Sequence, residues 1–575
     1  MINIGRSIKQ YTSDADKAVS PGETVERATT VFSKHGQTIL KELKRIDTGR
    51  LGIPVYFSYY GSRAKEMGVP KRQQMGKGAS AEQAQCSALM ELAERYSYFG
   101  YVNNPQNFEH LTWNEAVARW GDNLIPITSI IKSVEEDISV EQAQAAMDLI
   151  RWKFTPATNI HARCQEYIPL DWFKKLNEFN GSSAGNSFEE SILQGACELV
   201  ERHTNALLDL ERPVTPTINP KSISDPTLKT LLEKFTRHGI KVWLKDTSSG
   251  YPVPTVSAVA YDPGTFPHLS EIVFAAGTAT SPDKAAIRAL TEVAQLAGDF
   301  HTASNYEASG LPKFTSLQEM EWLTRGETVN ISSLPDISHP DMGQELIRLS
   351  QGLAYKGYSL YSVSTMHPDL EIPTNYNFIP GFLFRERTPN ASIGLFVGRI
   401  LAEETEPDIA LNKLNQLSGL YPQAFFVPFF TGMACMRLNK LDEALHHFLE
   451  ADKVQPDDES KAINAFYCAY TLSLMEKWQH TLPYLDRAIE HDPLVKEYFN
   501  LRGVAYYKQN NFETAAADFR KALDLDSGSA TDMANLGLCY QKMGQSKAGA
   551  EMLSSALELD PSLCYAKKCL DKMSL

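Results

Sequence analysis

The C-terminal third of the chain is periodic, and this periodicity constrains the fold more than any other feature of the sequence. Small residues recur there at spacings of 34, 37, 34 and 34 residues, at Gly398, Gly432, Ala469, Gly503 and Gly537. Twelve and sixteen positions after each of them come a smaller and a larger residue, in the order Ala410 and Leu414, Ala444 and Phe448, Thr481 and Leu485, Ala515 and Phe519, Gly549 and Leu553. Small residues opposite large ones at fixed offsets are typical of helices that pack closely within each repeat.

Prolines stand near the ends of most of these repeats, at Pro422, Pro456, Pro493 and Pro561, with Ser527 in the remaining position. Because proline ends a helix, the pattern resembles the tetratricopeptide repeat, a pair of helices closed by proline. It predicts an all-α solenoid over residues 391–575, with five repeats from about 391 to 564 and then a short capping helix, CYAKKCLDKMSL. The 37-residue spacing predicts a short insertion at PDDES, 456–460.

Residues 1–385 are predicted to form a separate domain that mixes helices with strands. The chain has 575 residues, more than one hydrophobic core usually supports. The polar stretch RERTPNAS at 385–392 is the predicted boundary. Apolar runs bounded by Gly, Pro or Asp predict strands at 53–60, 240–246, 253–262 and 271–279, with long helices between them.

Composition excludes several classes of protein. No apolar run approaches the roughly 18 residues of a membrane span, and the N-terminus lacks a secretion signal, so a cytoplasmic protein is expected. A net charge of −14 disfavours nucleic-acid and membrane partners. The eight cysteines form no C-x-x-C pair and are interpreted as buried thiols.

The words ELAER, at 91–95, and ELVER, at 198–202, occupy equivalent positions in two predicted helices. Ser80 and Ser187 are predicted N-caps with capping-box spacing, and Ser281 before Pro282 is predicted to begin a third helix. Each helix carries one polar triplet, whose members lie seven, eleven and fourteen residues after its cap. The triplets are Ser87, Glu91 and Glu94 in the first helix, Gln194, Glu198 and Glu201 in the second, and Arg288, Glu292 and Gln295 in the third. These offsets lie on one helix face, so three helices are predicted to present polar stripes at the same depth.

The stripes could be solvated faces, on which Glu91 with Arg95 and Glu198 with Arg202 form ordinary i,i+4 pairs. Apolar neighbours on both sides favour a semi-buried site instead. Carboxylates that converge there require cations, and oxygen ligands without thiolates or paired histidines favour Mg²⁺. The hypothesis is a nucleotide-triphosphate site at which Arg95, Arg202, Arg288 and Lys77 neutralise phosphates.

Two glycine-containing segments precede these helices. Gly76-Lys77-Gly78 is not a P-loop and is interpreted as a turn, whose lysine could reach a phosphate. The segment GSSAGNS at 181–187 could bring backbone N–H groups and Asn186 to a phosphate or ribose, or could be a flexible connection.

The ordered blocks resemble the YcaO family of ATP-dependent enzymes. GKGASAEQAQCSALMELAERYS is similar to its S-x-x-x-E-x-x-E-R block, SSAGNSFEESILQGACELVERH to its second E-x-x-E block, and RALTEVAQ to its R-x-x-x-E-x-x-Q block. RLGIPVYFSYYGSR and LEIPTNYNFIPG resemble flanking segments, so the resemblance covers about residues 45–385. It implies an α+β nucleotide-binding domain that uses ATP and Mg²⁺.

The resemblance also implies roles for individual residues. It assigns Mg²⁺ ligation to Glu91, Glu94, Glu198 and Glu201, and the lining of the nucleotide site to Ser87, Arg95, Arg202, Arg288, Glu292 and Gln295. Lys77 and Asn186 are added to the nucleotide site from the local sequence. No catalytic nucleophile is visible.

The activity that the resemblance implies is phosphorylation of a backbone amide oxygen of a peptide or protein. Attack by a side chain then gives an azoline, and attack by an external sulfide gives a thioamide. Azoline-forming members usually end in a proline-rich tail, whereas this chain ends in DKMSL after its repeats. Fused repeats resemble the non-azoline branch, which includes a member linked genetically to methylthiolation of a ribosomal protein, so thioamidation or another sulfur-linked modification is expected.

Two other functions stay open, an azoline-forming cyclodehydratase and an ATP-binding adaptor that acts through its repeats. The expected partners are a peptide or protein substrate and a protein that delivers sulfur or recognises substrate, bound by the repeats. A homodimer is also expected.

Overall fold

The computed structural model describes residues 1–47, 50–70, 73–297, 300, 314–385 and 390–573. They form two compact units, residues 1–140 with 151–391, and residues 141–150 with those from 392 onward. Residues 386–389 of the predicted boundary lie outside the described residues. Helices and strands mix in the first unit and the second is helical, which confirms the predicted fold class.

In the chain up to residue 391 the structure places twelve helices and fourteen strands among the described residues. The helices are α1 (Pro21–Ser33), α2 (Ser62–Glu66), α3 (Ala81–Val102), α4 (Trp113–Trp120), α5 (Ile127–Val134), α6 (Val140–Met147), α7 (Leu170–Asn177), α8 (Phe188–Glu211), α9 (Pro226–Arg237), α10 (Pro282–Ala297), α11 (Glu321–Thr324) and α12 (Met342–Tyr355). The strands are β1 (Leu40–Arg45), β2 (Val55–Tyr60), β3 (Gln73–Lys77), β4 (Glu109–Leu111), β5 (Trp152–Asn159), β6 (Cys164–Pro169), β7 (Ser182–Ala184), β8 (Thr217–Ile218), β9 (Lys241–Asp246), β10 (Thr255–Tyr261), β11 (Val273–Thr278), β12 (Thr328–Val329), β13 (Tyr361–Ser364) and β14 (Thr374–Phe378). The four predicted strands correspond to β2, β9, β10 and β11.

The strands form three sheets. Their orders are β1-β2-β3, then β11-β10-β9-β8-β12, and β4-β5-β13-β14-β7 with β6 paired to β5. The pairings are antiparallel except that of β8 with β12. Helix α3 packs on β2 and β3, α8 on β7 and β14, and α10 on β10 and β11. Each polar stripe is therefore carried by a helix that rests on a sheet.

Glycines allow these three helices to approach the sheets very closely. A Cβ atom on Gly76 of β3 would lie 2.0 Å from a backbone nitrogen of α3, and one on Gly277 of β11 would lie 2.4 Å from a backbone oxygen of α10. A Cβ atom on Gly195 of α8 would lie 2.3 Å from the side-chain nitrogen of Asn377 in β14. No side chain larger than the hydrogen of glycine fits at such separations. Direct contact at these glycines therefore sets the distance between each helix and its sheet.

The second unit contains five consecutive helix pairs and a final helix within residues 390–573. They are α13 (Ile393–Glu404), α14 (Pro407–Leu420), α15 (Phe426–Arg437), α16 (Leu441–Asp452), α17 (Asp458–Leu474), α18 (Trp478–His491), α19 (Lys496–Lys508), α20 (Phe512–Leu525), α21 (Ala530–Lys542), α22 (Ser546–Leu559) and α23 (Cys564–Met573). A Cβ atom on Gly432 would lie 2.7 Å from the ring of Phe448, and one on Gly503 would lie 2.9 Å from the ring of Phe519. In these two pairs the small residue meets the large residue sixteen positions later, as the sequence predicts.

Two features of this unit differ from the periodic pattern. The atoms nearest to a Cβ atom on Gly398 belong to Phe430 in α15 and Leu417 in α14, and not to the residue sixteen positions later. Residues 141–150 also belong to this unit: Gln142 Nε2 donates to the backbone oxygen of Leu420 (2.8 Å), and Lys413 Nζ donates to the backbone oxygen of Leu149 (2.6 Å). The first repeat is thus extended by a segment distant in sequence, which a repeat pattern cannot reveal.

The cysteines are free, but the expectation that all are buried is wrong. Cys164 and Cys569 are half-buried and Cys564 is exposed. Cys564 begins α23, the last helix of the described residues.

Candidate functional site

The three stripe-bearing helices begin where the sequence predicts. The Ser80 side chain accepts a hydrogen bond from the backbone N–H of Gln83 (3.2 Å), and that of Ser187 accepts one from Glu190 (3.2 Å). Helix α10 begins at Pro282, directly after Ser281. These starts give the polar triplets their common register.

The reciprocal half of the expected capping boxes is not formed. Gln83 Oε1 is buried without a hydrogen-bond partner. Glu190 instead accepts from the backbone N–H of Ala18 (3.0 Å) and lies 3.3 Å from Lys17 Nζ. The carboxylate of Glu190, which the local sequence predicts to cap α8, therefore binds the N-terminal segment of the chain to α8.

Four of the stripe glutamates form ion pairs with basic residues of the predicted site. Arg95 lies 3.0 Å from Glu94 and 3.7 Å from Glu91, both on α3. On α8, Arg202 Nε donates to Glu198 (3.0 Å). Glu292 of α10 pairs with Lys77 of β3. Each carboxylate in these pairs is half-buried, so the cations stand where desolvated negative charge requires them.

The pKa values show that the stripes of α3 and α8 influence one another. The pKa of Glu94 is raised to about 8, chiefly by burial and also by the charges of Glu198 and Glu91, against the opposing effect of Arg95. Burial also raises the pKa of Glu201. The carboxylates of the two helices are therefore close enough to repel.

Lys77 and Arg288 connect this acidic group to α10. Burial and the charge of Arg288 lower the pKa of Lys77 to about 8, against the opposing charges of Glu201, Glu91 and Glu198. Arg288 Nη1 donates to the side-chain oxygen of Gln194 on α8 (2.8 Å). The structure thus brings together nine of the predicted residues: Lys77, Glu91, Glu94, Arg95, Glu198, Glu201, Arg202, Arg288 and Glu292.

The remaining three predicted residues stand apart from these contacts. Ser87 is half-buried on the α3 stripe, one turn before Glu91. Gln295 is buried on α10, and its Oε1 has no hydrogen-bond partner. The amide nitrogen of Asn186 donates to both oxygens of Glu190 (3.1 and 3.2 Å), and its oxygen accepts from Thr24 (3.2 Å). Asn186 therefore ties α8 to α1 and to the N-terminal segment.

Strands extend into both segments that precede α3 and α8, so the interpretation of Gly76-Lys77 as a turn is wrong, and residues 182–184 do not form the flexible connection that was one alternative for 181–187. Gly76 and Lys77 end strand β3, paired with β2. Residues 182–184 form strand β7, paired with β14. Gly185 beside β7 would place a Cβ atom 2.5 Å from the backbone nitrogen of Ser191. These glycines serve close packing of backbone on backbone.

Two further residues of the site were not found from the sequence. The backbone N–H of Thr278, at the end of β11, donates to Glu201 (2.8 Å). Asn205 follows Glu201 by four residues on the α8 stripe, and its buried Oδ1 has no hydrogen-bond partner. The i+4 spacing could have identified Asn205, whereas a contact from β11 could not be seen in the sequence.

The donor set fits Mg²⁺ with a triphosphate. Within the described part of the chain, no three His, Cys, Asp or Glu side chains are already gathered around one metal position. The glutamates are turned instead toward Arg95, Arg202 and Lys77. Buried groups without hydrogen bonds remain beside them: Arg95 Nη1, Arg288 Nε and Gln295 Oε1. A ligand with both cationic and anionic groups would pair with the glutamates and with the unsatisfied Arg95 and Arg288 donors, and a donor on the same ligand would satisfy Gln295 Oε1.

A half-buried cluster of carboxylates and basic groups, carried by helices on sheets and followed by paired helices, defines an ATP- and Mg²⁺-binding domain joined to a repeat array. The family model described as YcaO cyclodehydratase, ATP- and Mg²⁺-binding, matches residues 75–383, and tetratricopeptide-repeat models match 497–529 and 533–563. The chain belongs to the YcaO family, whose members are ATP-dependent enzymes.

Relatives and solved structures agree with this assignment. An uncharacterized protein of Methanothermobacter thermautotrophicus is 27% identical over 382 residues, which are 64% of this chain and 94% of that protein. The structure of YcaO from Methanopyrus kandleri bound with AMPPCP and Mg²⁺ matches at a TM-score of 0.50 and 21% identity, over 65% of this chain and 94% of that one. A heterocyclase in complex with substrate and cofactor matches at 0.52 and 18% identity, over 69% and 57%. At these identities the two structures show the shared fold.

No helix of the described residues combines the length and the apolarity needed to cross a membrane.

Proposed function

We propose that this protein uses ATP and Mg²⁺ to activate a backbone amide of a peptide or protein, and that the modification is thioamidation or another sulfur-linked change. The observation that supports the proposal is the group of half-buried glutamates on α3, α8 and α10, each held by a basic residue. Members of the family are ATP-dependent enzymes, which favours catalysis over a purely adaptor role.

In this proposal Glu91, Glu94, Glu198 and Glu201 hold Mg²⁺, because carboxylate oxygens are the ligands that Mg²⁺ prefers. ATP supplies the phosphoryl group that makes an amide oxygen a good leaving group. The protein's contribution is then to position groups and to neutralise charge.

The basic residues take the anionic side of the site. With the glutamates held by the metal, Arg95, Arg202 and Lys77 would pair with phosphate oxygens, the two arginines through two parallel hydrogen bonds each. Arg288 is held by Gln194 and has Nε available for the same purpose. We therefore expect Mg²⁺ and AMPPCP to bind more tightly together than either alone, which isothermal titration calorimetry measures directly.

A sulfur-linked product is favoured over an azoline by the repeat array. Paired helices occupy residues 393–559, and repeat arrays of this kind bind other proteins. An external sulfur atom comes from outside the substrate and can be delivered by a second protein, whereas a cyclisation takes its nucleophile from the substrate. A fused protein-binding array suits the first chemistry.

The test of catalysis is phosphate release from ATP in the presence of candidate peptides. Glu198→Gln keeps the size of the side chain and removes a charge at the proposed metal site, so turnover should fall by at least about a hundredfold. Glu233→Gln, at an exposed position of α9, is the matched control and should leave turnover unchanged. Binding without turnover in the wild-type chain would support the adaptor function instead.

Intact-mass comparison of proteins from cells with and without the active enzyme identifies the product. Loss of one water indicates an azoline, and exchange of oxygen for sulfur indicates a thioamide. Detection of the azoline would refute the sulfur-linked assignment while leaving amide activation in place. Protein masses that do not depend on Glu198 would refute both.

A further inference from the structure

The guanidinium group of Arg95 lies against the aromatic ring of Phe179. Its central carbon, Cζ, is 4.0 Å from the centre of the ring. In the described part of the chain, the other arginines that contact an aromatic ring do so at 5.4–5.8 Å. A ring attracts a cation most strongly where water is excluded, and only 15% of the Arg95 side chain is exposed. The ring of Phe179 therefore helps to hold Arg95 in place.

An aromatic ring holds an arginine differently from a carboxylate. A carboxylate accepts hydrogen bonds from the N–H groups, whereas a ring acts through the negative charge of its face and requires no particular N–H group. Arg95 Nη1 lies 3.0 Å from Glu94 but is buried without a hydrogen-bond partner. The guanidinium group is thus held in place while one of its buried donors stays open to a ligand.

The segment that carries Phe179, between α7 and β7, is fixed to the elements on either side of it. The backbone oxygen of Glu178 accepts a hydrogen bond from Tyr98 Oη (3.1 Å), which stands on α3 one turn after the arginine. The backbone oxygen of Gly181 accepts one from the backbone N–H of Asn377 in β14 (3.0 Å). A Cβ atom on Gly181 would lie 2.3 Å from the backbone oxygen of Asn377. These contacts leave Phe179 little freedom to move away from α3.

The turn that presents Phe179 is strained. The backbone N–H of Asn180 donates to the backbone oxygen of Asn177 (2.9 Å), so Glu178 and Phe179 are the central residues of this turn. Glu178 has φ 51° and ψ −115°, which are the angles of the first central residue of a type II′ turn, where glycine is usual. A residue with a side chain adopts them at a cost in free energy, and such strain is concentrated at binding sites. The strain points to a function for the residue that the turn presents.

The two arginines of the words ELAER and ELVER differ in this respect. The side chain of Arg202 is 40% exposed, against 15% for that of Arg95. Arg202 Nε donates to Glu198 (3.0 Å), so this nitrogen is already satisfied. Although the sequence makes the two positions equivalent, the structure buries Arg95 against a ring and leaves Arg202 nearer to the surface.

We propose that Phe179 is a positioning residue of the nucleotide site, whose ring holds Arg95 so that its open Nη1 donor meets an anionic oxygen of the bound nucleotide. This inference rests on the proposed function, because it requires ATP and Mg²⁺ to bind among the glutamates. Phe179 acts through Arg95 and not by contact with the nucleotide. An arginine that is ordered in advance loses less conformational entropy when the ligand binds, so removal of the ring should weaken nucleotide binding.

The test is isothermal titration calorimetry of the full chain with AMPPCP in the presence of Mg²⁺. Phe179→Leu should weaken binding about three- to thirtyfold, the range of a cation–ring contact shielded from water. Phe179→Tyr keeps the ring and should bind within about twofold of the wild type. Phe108→Leu is the matched control and should leave affinity unchanged, because Phe108 is also half-buried but its ring packs on that of Tyr101.

A double-mutant cycle separates positioning from a general effect on structure. In an Arg95→Met background, Phe179→Leu should change affinity by less than about twofold, because the group that the ring positions is absent. Equal losses in the two backgrounds would overturn the proposal, and so would wild-type affinity of Phe179→Leu or an equal loss in Phe108→Leu.

Two further measurements keep the test decisive. Circular dichroism verifies folding, and pentafluorophenylalanine at position 179 keeps the shape of the ring but removes the negative charge of its face. It should weaken binding as leucine does, and wild-type affinity would overturn the proposal even if Phe179→Leu failed to fold. A wild-type chain that does not bind AMPPCP with Mg²⁺ overturns the proposed function as well. If Glu198→Gln weakens binding but the changes at Phe179 do not, only the positioning role is refuted.

Discussion

Gly76→Ala tests whether close packing of α3 on β3 sets the position of the carboxylates. The added Cβ atom would lie 2.0 Å from the backbone nitrogen of Ala88 and 2.3 Å from the backbone oxygen of Ala84, whereas ordinary contact begins at 3.4 Å. The strand and helix must therefore separate by 3.4 − 2.0 = 1.4 Å. Both clashing atoms belong to the backbone, so no side-chain rotation can relieve the overlap.

The separation should reduce stability and activity together. Overpacking of a core costs about 1–3 kcal/mol, and we expect the upper part of that range because backbone is opposed to backbone. Glu91 and Glu94 lie three and six residues beyond Ala88 and move with α3. A misplacement of about 1 Å at a reacting centre can cost on the order of a hundredfold in rate.

Urea unfolding measures the stability of Gly76→Ala, and phosphate release from ATP under conditions in which the variant is folded measures its activity. Gly419→Ala is the control, because Gly419 lies within α14 and a Cβ atom there has no neighbour within 4 Å. It should stabilise the chain by about 0.5–1 kcal/mol, since alanine favours a helix over glycine. A Gly76→Ala chain with wild-type stability and turnover would refute the packing argument.

Three further predictions concern buried polar groups. Burial lowers the pKa of Lys245 to about 8. Between about pH 8 and about pH 10 the unfolded chain therefore binds more protons than the folded chain, and the free energy of unfolding should rise by up to about 1.4 kcal/mol per pH unit. Urea unfolding of Lys245→Met should lack this dependence on pH. Arg502→Met leaves buried Asp518 unpaired and should cost about 3 kcal/mol by thermal unfolding, whereas the exposed pair lost in Lys453→Ala should cost less than about 1 kcal/mol. Asn205→Ala should lower phosphate release without lowering stability, because the buried Asn205 Oδ1 accepts no hydrogen bond that the variant would lose. A variant that is less stable but has normal turnover would contradict the assignment of Asn205 to the site.

The sequence predicted those parts of the structure that depend on neighbours along the chain. Caps at Ser80 and Ser187 are local signals, and counting from them placed the glutamates on common faces. Gly76 was misread because its role depends on a helix that packs across it, and glycine in isolation equally suggests a turn. The assignment of Asn186 to the nucleotide stays a prediction; the sequence could not show that its amide oxygen accepts from the distant Thr24 while its amide nitrogen donates to Glu190.

The same chain contains a complete ionic network for comparison with the proposed site. All three side-chain nitrogens of Arg502 donate hydrogen bonds, two to Asp518 at 2.9 and 2.7 Å and one to Asp486 at 2.7 Å. At the proposed site, Arg95 Nη1 is 3.0 Å from Glu94 without forming a hydrogen bond, and its contact with Glu91 is 3.7 Å.

Both Arg95 and Arg502 are surrounded by carboxylates, so the number of charges does not distinguish the two places. The hydrogen bonding does distinguish them, because every side-chain nitrogen of Arg502 donates a hydrogen bond whereas the buried Arg95 Nη1 donates none. Arg288 Nε and Gln295 Oε1 are unmatched in the same place. Buried groups without partners are costly, and a protein retains them where a ligand supplies what is missing. The incomplete hydrogen bonding of Arg95, Arg288 and Gln295 therefore supports the proposed binding site, because ATP and Mg²⁺ would supply partners that helix-surface ion pairs do not require.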